Sequence, residues 1–223
     1  MSSDRPQIGV VDYGMGNRRS VQKALEHVGA EAPISSELGF LDRCFALVIP
    51  GVGAFPRGME NLRALGLDQY IRRRVDQGTP VLGICLGMQL LFDSSVEQRP
   101  TEGLGLIPGE VSWLSVGQLR LPHIGWNEVR FERQIPLLEG LPAGGCPFYH
   151  VHSLAPRPAE AEAIVGTAEY GERFATIVRR ENVLGVQFHP EKSSAHGLRL
   201  LANFVAQCTA TPATAPDLAR PAA

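Results

Sequence analysis

The run Gly83-Ile84-Cys85-Leu86-Gly87-Met88-Gln89 puts a cysteine between two glycines, after the apolar Pro80-Val81-Leu82 and before Leu90-Leu91-Phe92. A nucleophile on a sharp strand-to-helix turn needs small residues two before and two after it, because the tight backbone brings side chains there into collision. Gly83 and Gly87 meet that need, so the run reads as the cysteine version of G-x-S-x-G. At a helix N-terminus the Cys85 thiolate would be stabilised by unpaired backbone N–H groups and the helix dipole, and the Leu86 N–H could serve an oxyanion. On this motif alone an inert buried thiol is an equal reading, since free cysteine is among the most buried residue types.

A second stretch, Gly185-Val186-Gln187-Phe188-His189-Pro190-Glu191-Lys192-Ser193, shifts the balance. A histidine at the end of an apolar strand is well placed as a base, and a carboxylate two residues on can bind its other ring nitrogen and set the tautomer. Cys85, His189 and Glu191 form a candidate triad. Taken singly, His189 would be a satisfied loop histidine and Glu191 a solvated charge; the two motifs together are stronger than either.

Other residues suit the same chemistry. Gly51 and Gly53 flank Val52 after a strand, which would let the Val52 peptide rotate an N–H toward a tetrahedral oxyanion, although an ordinary turn reads the same way. Gln89 lies four residues after Cys85, on the same face of a helix, so its amide could bind a substrate's backbone groups. His150 and His152 alternate onto one strand face without a third ligand at clear spacing, so no metal is expected. Gly14-x-Gly16 lacks the third glycine of a dinucleotide fingerprint, where Arg19 stands instead.

The elements that must carry these residues alternate. Ile8–Val11 precedes a helical pattern at Val21, Ala24, Leu25 and Val28, Ala46–Ile49 precedes another through Leu62, Leu65 and Ile71, and Val81–Ile84 precedes a third. This predicts an α/β fold with a mostly parallel central sheet flanked by helices. From about 103 to 187 the chain turns to short extended pieces, including 111–114, 148–153, 174–178 and 183–188, predicted as additional short antiparallel strands. A final helix over about 194–207 closes a single domain of residues 1–208. The Ala-, Pro- and Thr-rich stretch 209–223 has no periodicity and is expected to be a disordered tail.

With 223 residues, 44% hydrophobic and 20% charged, the chain can bury a substantial core. A formal charge of −2 offers no basic field for nucleic acid, and Arg72-Arg73-Arg74 reads as a solvated helix face. The N-terminus lacks a signal-peptide core and no run approaches the roughly 20 apolar residues that span a bilayer, so a cytoplasmic protein is expected. The four cysteines, Cys44, Cys85, Cys146 and Cys208, lie far apart and read as reduced thiols.

The elbow cysteine with His-Pro-Glu 104 residues later resembles the class I, triad-type glutamine amidotransferases. Val11-Asp12-Tyr13-Gly14-Met15-Gly16-Asn17, Pro50–Phe55, Pro122-His123-Ile124-Gly125-Trp126-Asn127, Phe148–Ser153 and the Lys-Ser after His-Pro-Glu narrow the likeness to glutaminase subunits of imidazole glycerol phosphate synthase. The resemblance spans about residues 7 to 207. It implies that glutamine is hydrolysed through a Cys85 thioester, with the oxyanion held near Gly51, Val52, Gly53 and Leu86. It also implies that Gln89 and Glu97 hold the substrate's amino-acid end, with backbone groups of His152 and Ser153 at its carboxylate.

Ammonia would pass to a (β/α)8-barrel cyclase subunit, in a heterodimer, that makes imidazole glycerol phosphate and AICAR in histidine biosynthesis. Asn17, Trp126, Asn127 and Tyr149 would face that partner, and no cofactor is implied. Arg18 departs from the family, which usually has an apolar residue there. Three other readings stay open: a glutaminase serving another acceptor such as anthranilate, GMP or pyridoxal phosphate synthesis, a non-catalytic scaffold, and a cysteine peptidase.

Overall fold

The computed structural model describes residues 5–210. In chain order its elements are β1 (Ile8–Val11), α1 (Arg18–His27), β2 (Ile34–Ser35), α2 (Leu38–Leu41), β3 (Ala46–Ile49), α3 (Phe55–Ala64), α4 (Leu67–Asp76), β4 (Val81–Ile84) and α5 (Leu86–Leu90). There follow β5 (Phe92–Ser95), β6 (Thr101–Glu102), β7 (Ile107–Trp113), β8 (His123–Phe131), β9 (Gly145–His152), β10 (Leu154–Pro158), β11 (Ile164–Tyr170), β12 (Glu172–Arg180), β13 (Val183–Val186) and α6 (Ser194–Ala210).

Nine strands form one sheet in the order β2-β1-β3-β4-β13-β12-β11-β8-β9, parallel from β2 to β13 and antiparallel from β13 onward. The α/β class is as expected, and β9 and β12 are longer than the sequence suggested and extend the same sheet; the piece expected at 183–188 is instead the shorter β13, parallel to β4 and antiparallel only to β12, and the piece at 111–114 belongs to β7 outside this sheet. A second sheet, β10-β7-β5-β6, packs against it, with β10 beside β12. β1, β3, β4 and β13 are buried at every position, the pattern of strands covered on both faces. One apolar cluster lies on the α1 and α6 side, and the other is built on α3, α4, α5 and the second sheet.

Two sequence expectations change here. The single helical pattern through Leu62, Leu65 and Ile71 is two helices, because Gly66 takes a left-handed conformation (φ 65°) between α3 and α4 and leaves Leu65 46% exposed. The last helix runs to Ala210, three residues past its expected end, and the rest of the expected tail lies outside the described residues.

Arg74 is not on a solvated face. It continues the buried stripe Leu67, Tyr70, Ile71 at the next heptad position. Its guanidinium donates to the carbonyls of Leu41 (2.7 Å) and Cys44 (2.8 Å), to the Tyr70 hydroxyl (2.7 Å) and to Thr79 Oγ1 (3.0 Å), with Asp42 at 3.5 Å. Arg74→Met would strand buried carbonyls at the turn between α2 and β3. We expect a loss of about 3 kcal/mol, read as a lower denaturation midpoint in urea with an unchanged slope.

Candidate active site

Parallel pairing brings the chemistry together. β1, β3, β4 and β13 are adjacent or linked by one neighbour, so the segments that follow their C-terminal ends share one edge of the sheet, where open α/β sheets place their sites. Those segments are 12–17, 50–54, 85–89 and 187–193. Register aligns Ile84 with Val186, and the Cys85 N–H donates to the Val186 carbonyl at 2.8 Å. Cys85 and His189 are therefore neighbours in space although 104 residues apart.

Cys85 has φ 54° and ψ −111°, a conformation that side chains rarely adopt. The glycines on each side are required sterically. A Cβ on Gly83 would lie 2.6 Å from the Gly87 carbonyl oxygen, and one on Gly87 would lie 1.7 Å from the Ile49 carbonyl oxygen. The elbow is thus wedged between β3 and α5.

His189 and the Glu191 side chain are buried, and His189 Nδ1 meets Glu191 Oε1 at 2.7 Å. That contact leaves the histidine's Nε2 for Cys85. Burial alone would pull the His189 pKa down, but hydrogen bonds and charge from Cys85 and Glu191 outweigh it and raise it to about 10. That direction favours the imidazolium near neutral pH. The histidine's backbone is held as well: its N–H donates to the Tyr149 carbonyl (2.9 Å), and its carbonyl accepts from Ser193 Oγ (2.7 Å), which itself accepts from the Tyr149 N–H (3.0 Å). The free edge of β9 is thus the shelf that positions His189.

The candidate oxyanion donors are not both aimed at the site. The Leu86 N–H points at the Gly51 carbonyl, at 3.4 Å. The peptide joining Gly51 to Val52 is planar and trans, so with its carbonyl toward Leu86 its Val52 N–H faces away. Gly51 and Gly53 border this peptide, and Gly53 has φ 122°. The loop 14–17 leans on it, since a Cβ on Gly16 would lie 2.9 Å from Val52 Cγ2 and one on Gly53 2.6 Å from Met15 Cε. Tyr13 anchors the segment by donating its hydroxyl to the Pro50 carbonyl at 2.6 Å.

The predicted substrate contacts fall in two places: Gln89, His152 and Ser153 toward Leu154, and Glu97 beside α3. Gln89 is buried, and its Nε2 donates to the Leu154 carbonyl and to Gln187 Oε1, both at 3.1 Å. With its N–H groups committed, the amide can offer a ligand only its carbonyl oxygen. Glu97 is half-buried and its Oε2 accepts from the Phe55 N–H at 2.6 Å, beside the segment that carries Val52. The Val151 carbonyl lies 3.8 Å from the Cys85 sulfur, and the Ser153 carbonyl accepts from the Leu114 N–H. His152 is buried and its Nδ1 meets the Leu154 carbonyl at 2.8 Å.

Two of the residues read as interface positions are engaged within the chain. Asn17 is half-buried and its Nδ2 donates to Glu191 Oε1, so its side chain faces the triad. Asn127 is adjacent to Trp126 on β8 and so points to the opposite face, where its Nδ2 donates to the Glu169 carbonyl at 2.8 Å. Trp126, by contrast, is 53% exposed with Ile124 beside it on the same face, and Tyr149 meets its ring edge-on. Arg18, the first residue of α1, is paired with Asp12 of the loop before it.

Gln187 was missed by the sequence reading. It is fully buried and its Nε2 donates to the Cys85 sulfur at 3.8 Å. The available signal was a polar residue directly after an otherwise apolar strand and two residues before His189. Among the described residues no group of three or more His, Cys, Asp or Glu could hold a metal ion, and no helix is long and apolar enough to cross a membrane.

Known proteins share this arrangement's sequence and fold. The glutamine amidotransferase class-I family model matches residues 9–208. The imidazole glycerol phosphate synthase subunit HisH of Moorella thermoacetica is 49% identical over 197 residues, covering 88% of this chain and 93% of the relative. That of Aquifex aeolicus is 47% identical over 196 residues, covering 87% and 94%. Among solved structures, a crystal structure of glutamine amidotransferase superimposes with TM-score 0.71 at 23% identity, covering 92% of this chain and 99% of that one. PurLQS from Thermotoga maritima gives 0.68 at 21%, covering 92% and 97%. The chain belongs to the class-I glutamine amidotransferases, and within them to the family of imidazole glycerol phosphate synthase HisH subunits.

Proposed function

We propose that this chain is the glutaminase subunit of imidazole glycerol phosphate synthase, supplying ammonia to a (β/α)8-barrel cyclase in histidine biosynthesis. The observation that carries the chemistry is Cys85 on a strained elbow beside a buried His189 whose Nδ1 is held by Glu191 at 2.7 Å. The relatives named above carry the acceptor.

The Cys85 thiolate attacks the side-chain amide carbon of glutamine, forming a C–S bond and an oxyanion. His189, protonated near neutral pH, gives its Nε2 proton to the amide nitrogen; the C–N bond breaks, ammonia leaves and a γ-glutamyl thioester remains. Neutral His189 then takes a proton from water, the hydroxide attacks the thioester, and the C–S bond breaks to give glutamate and the thiolate. The Gln89 carbonyl oxygen and a Glu97 carboxylate oxygen receive the substrate's α-ammonium, while the β9 edge near Ser153 meets its carboxylate.

The oxyanion needs both the Leu86 and Val52 N–H groups, and rotation of the Gly51–Val52 peptide would release the first and deliver the second. We infer that docking of the cyclase on the face carrying Trp126, with its acceptor ribonucleotide bound, drives that rotation, which avoids wasteful glutamine hydrolysis by the free subunit. Glutamate release should be low for the chain alone and rise about 100-fold or more with the barrel partner and ribonucleotide, the size of a lost oxyanion donor. Equal turnover in both states overturns the gating, and stimulation only by a different acceptor synthase moves the acceptor.

A further inference from the structure

Tyr13 is a phenol in apolar surroundings. It is 1% exposed, lies just past the end of β1, and packs in the cluster that holds Met15, Phe55 and Leu86. Its own carbonyl accepts from Asn61 Nδ2 of α3 at 2.9 Å, and its hydroxyl reaches across to the Pro50 carbonyl at 2.6 Å. A phenylalanine would bury the same ring, so packing does not call for the oxygen. Burial, and then the charge of nearby Cys85, push the hydroxyl's pKa up, which keeps it a donor throughout the working pH range.

The contacts of the hydroxyl show what it does to the chain after β3. Pro50 and Gly51 are buried, whereas Val52 and Gly53 are exposed. A Cβ on Gly51 would lie 2.3 Å from the Tyr13 hydroxyl oxygen and 3.1 Å from Leu86 Cβ, so the chain threads between those two at Gly51. Each peptide unit is planar and turns as one piece about its flanking Cα atoms. With its carbonyl bonded to Tyr13, the Pro50–Gly51 unit is fixed. The next unit, Gly51–Val52, accepts from the Leu86 N–H at 3.4 Å, a long bond that is readily given up, and it hangs from a residue with no Cβ to restrict ψ. Beyond it, the Phe55 N–H is held by Glu97 at 2.6 Å. Between these fixed points a single peptide can turn over by opposite changes in Gly51 ψ and Val52 φ, with the Cα atoms staying in place.

We propose that Tyr13 is a positioning residue for the oxyanion hole: by pinning the Pro50–Gly51 peptide it confines the rearrangement to the Gly51–Val52 peptide, so that the turned Val52 N–H arrives in one orientation. This rests on the glutaminase reading above and on its gating. Without the hydroxyl the Pro50 carbonyl loses its partner, both units can turn, and the Val52 N–H spreads over orientations of which few face the oxyanion.

The test uses the full chain assembled with its cyclase partner and acceptor ribonucleotide, comparing wild type, Tyr13→Phe, Val52→Pro and the double variant. Val52→Pro deletes the delivered N–H. Tyr13→Phe should lower kcat for glutamate release about tenfold with KM for glutamine changed about twofold or less, the pattern of an interaction made only in the transition state. In the Val52→Pro background it should add little, because its effect passes through that N–H. Alkylation of Cys85 by iodoacetamide needs the thiolate and no oxyanion hole, so its rate should stay at the wild-type value in Tyr13→Phe.

An unchanged kcat, a raised KM at constant kcat, effects that multiply in the double variant, or alkylation slowed in step with turnover overturns the proposal, the last by marking a general disturbance of the site. If Tyr13→Phe does not fold, Tyr13→Met fills the space without a donor and must show the same kcat loss with alkylation spared. A wild-type complex that releases no glutamate overturns the glutaminase reading itself, and equal wild-type turnover with and without the partner overturns the gating. Both results are seen before any variant is compared.

Discussion

Cys85→Ala is expected to lower glutamate release by the assembled enzyme by about 10⁴-fold or more while leaving fold and partner binding intact. Loss of a covalent nucleophile is of that order or larger, because the remaining groups have no second atom to attack with. The side chain is small and buried and the substitution keeps a Cβ at φ 54°, so backbone strain is unchanged. The measurement is glutamate release with saturating partner and ribonucleotide, alongside size-exclusion of the complex. Residual activity above about 1% would mean that water is attacking directly, and the thioester would have to be abandoned. The wild-type rate carries a second signature. His189 must be protonated to release ammonia, and with its pKa raised to about 10 the rate should hold through neutral pH and fall as pH rises through that value.

Gly87→Ala is expected to have the largest effect on stability, above about 4 kcal/mol, with loss of soluble protein the simplest readout. The added Cβ would sit 1.7 Å from the Ile49 carbonyl oxygen, and that contact is backbone on both sides. Relief requires α5 to separate from β3, and both are built into the apolar cluster around Leu86 and Met88. If the variant does fold, the elbow must have moved and glutamate release should be lost with it. Gly29→Ala is the contrast, since nothing lies within 4 Å of a Cβ there and only its positive φ opposes the change. Wild-type stability and activity in Gly87→Ala would show that the turn is looser than its geometry implies.

The chemistry was legible because it is local. Gly83, Cys85 and Gly87 specify a tight turn by their spacing, and His189 with Glu191 at i and i+2 specifies an oriented imidazole. The alternation of apolar runs with helical patterns was enough for an α/β sheet, because buried parallel strands must be continuously apolar. Where the reading slipped, one residue's alternatives were locally equivalent. Arg74 carries a charge in a charged run, and only its place on the stripe of Leu67, Tyr70 and Ile71 separates it from Arg72 and Arg73. The periodicity runs Leu62, Leu65 and Ile71 into one helix, and only the left-handed turn at Gly66 shows that two helices meet there.

By itself, the sequence determined the candidate nucleophile, the candidate base, the carboxylate beside that base, and the strand-turn-helix that carries the first of them, since each depends on residues within a few positions of one another. Tertiary structure alone decided what those groups meet. The register of β4 against β13 makes Cys85 and His189 neighbours, the Gly51 carbonyl takes up the Leu86 N–H, Asn17 reaches Glu191, and His123 joins His152 across two strands. The physical reason is that side-chain periodicity says which face of a strand or helix is buried but not which distant segment covers it. Hydrogen-bond direction within the site is set by those distant partners, one carbonyl at a time.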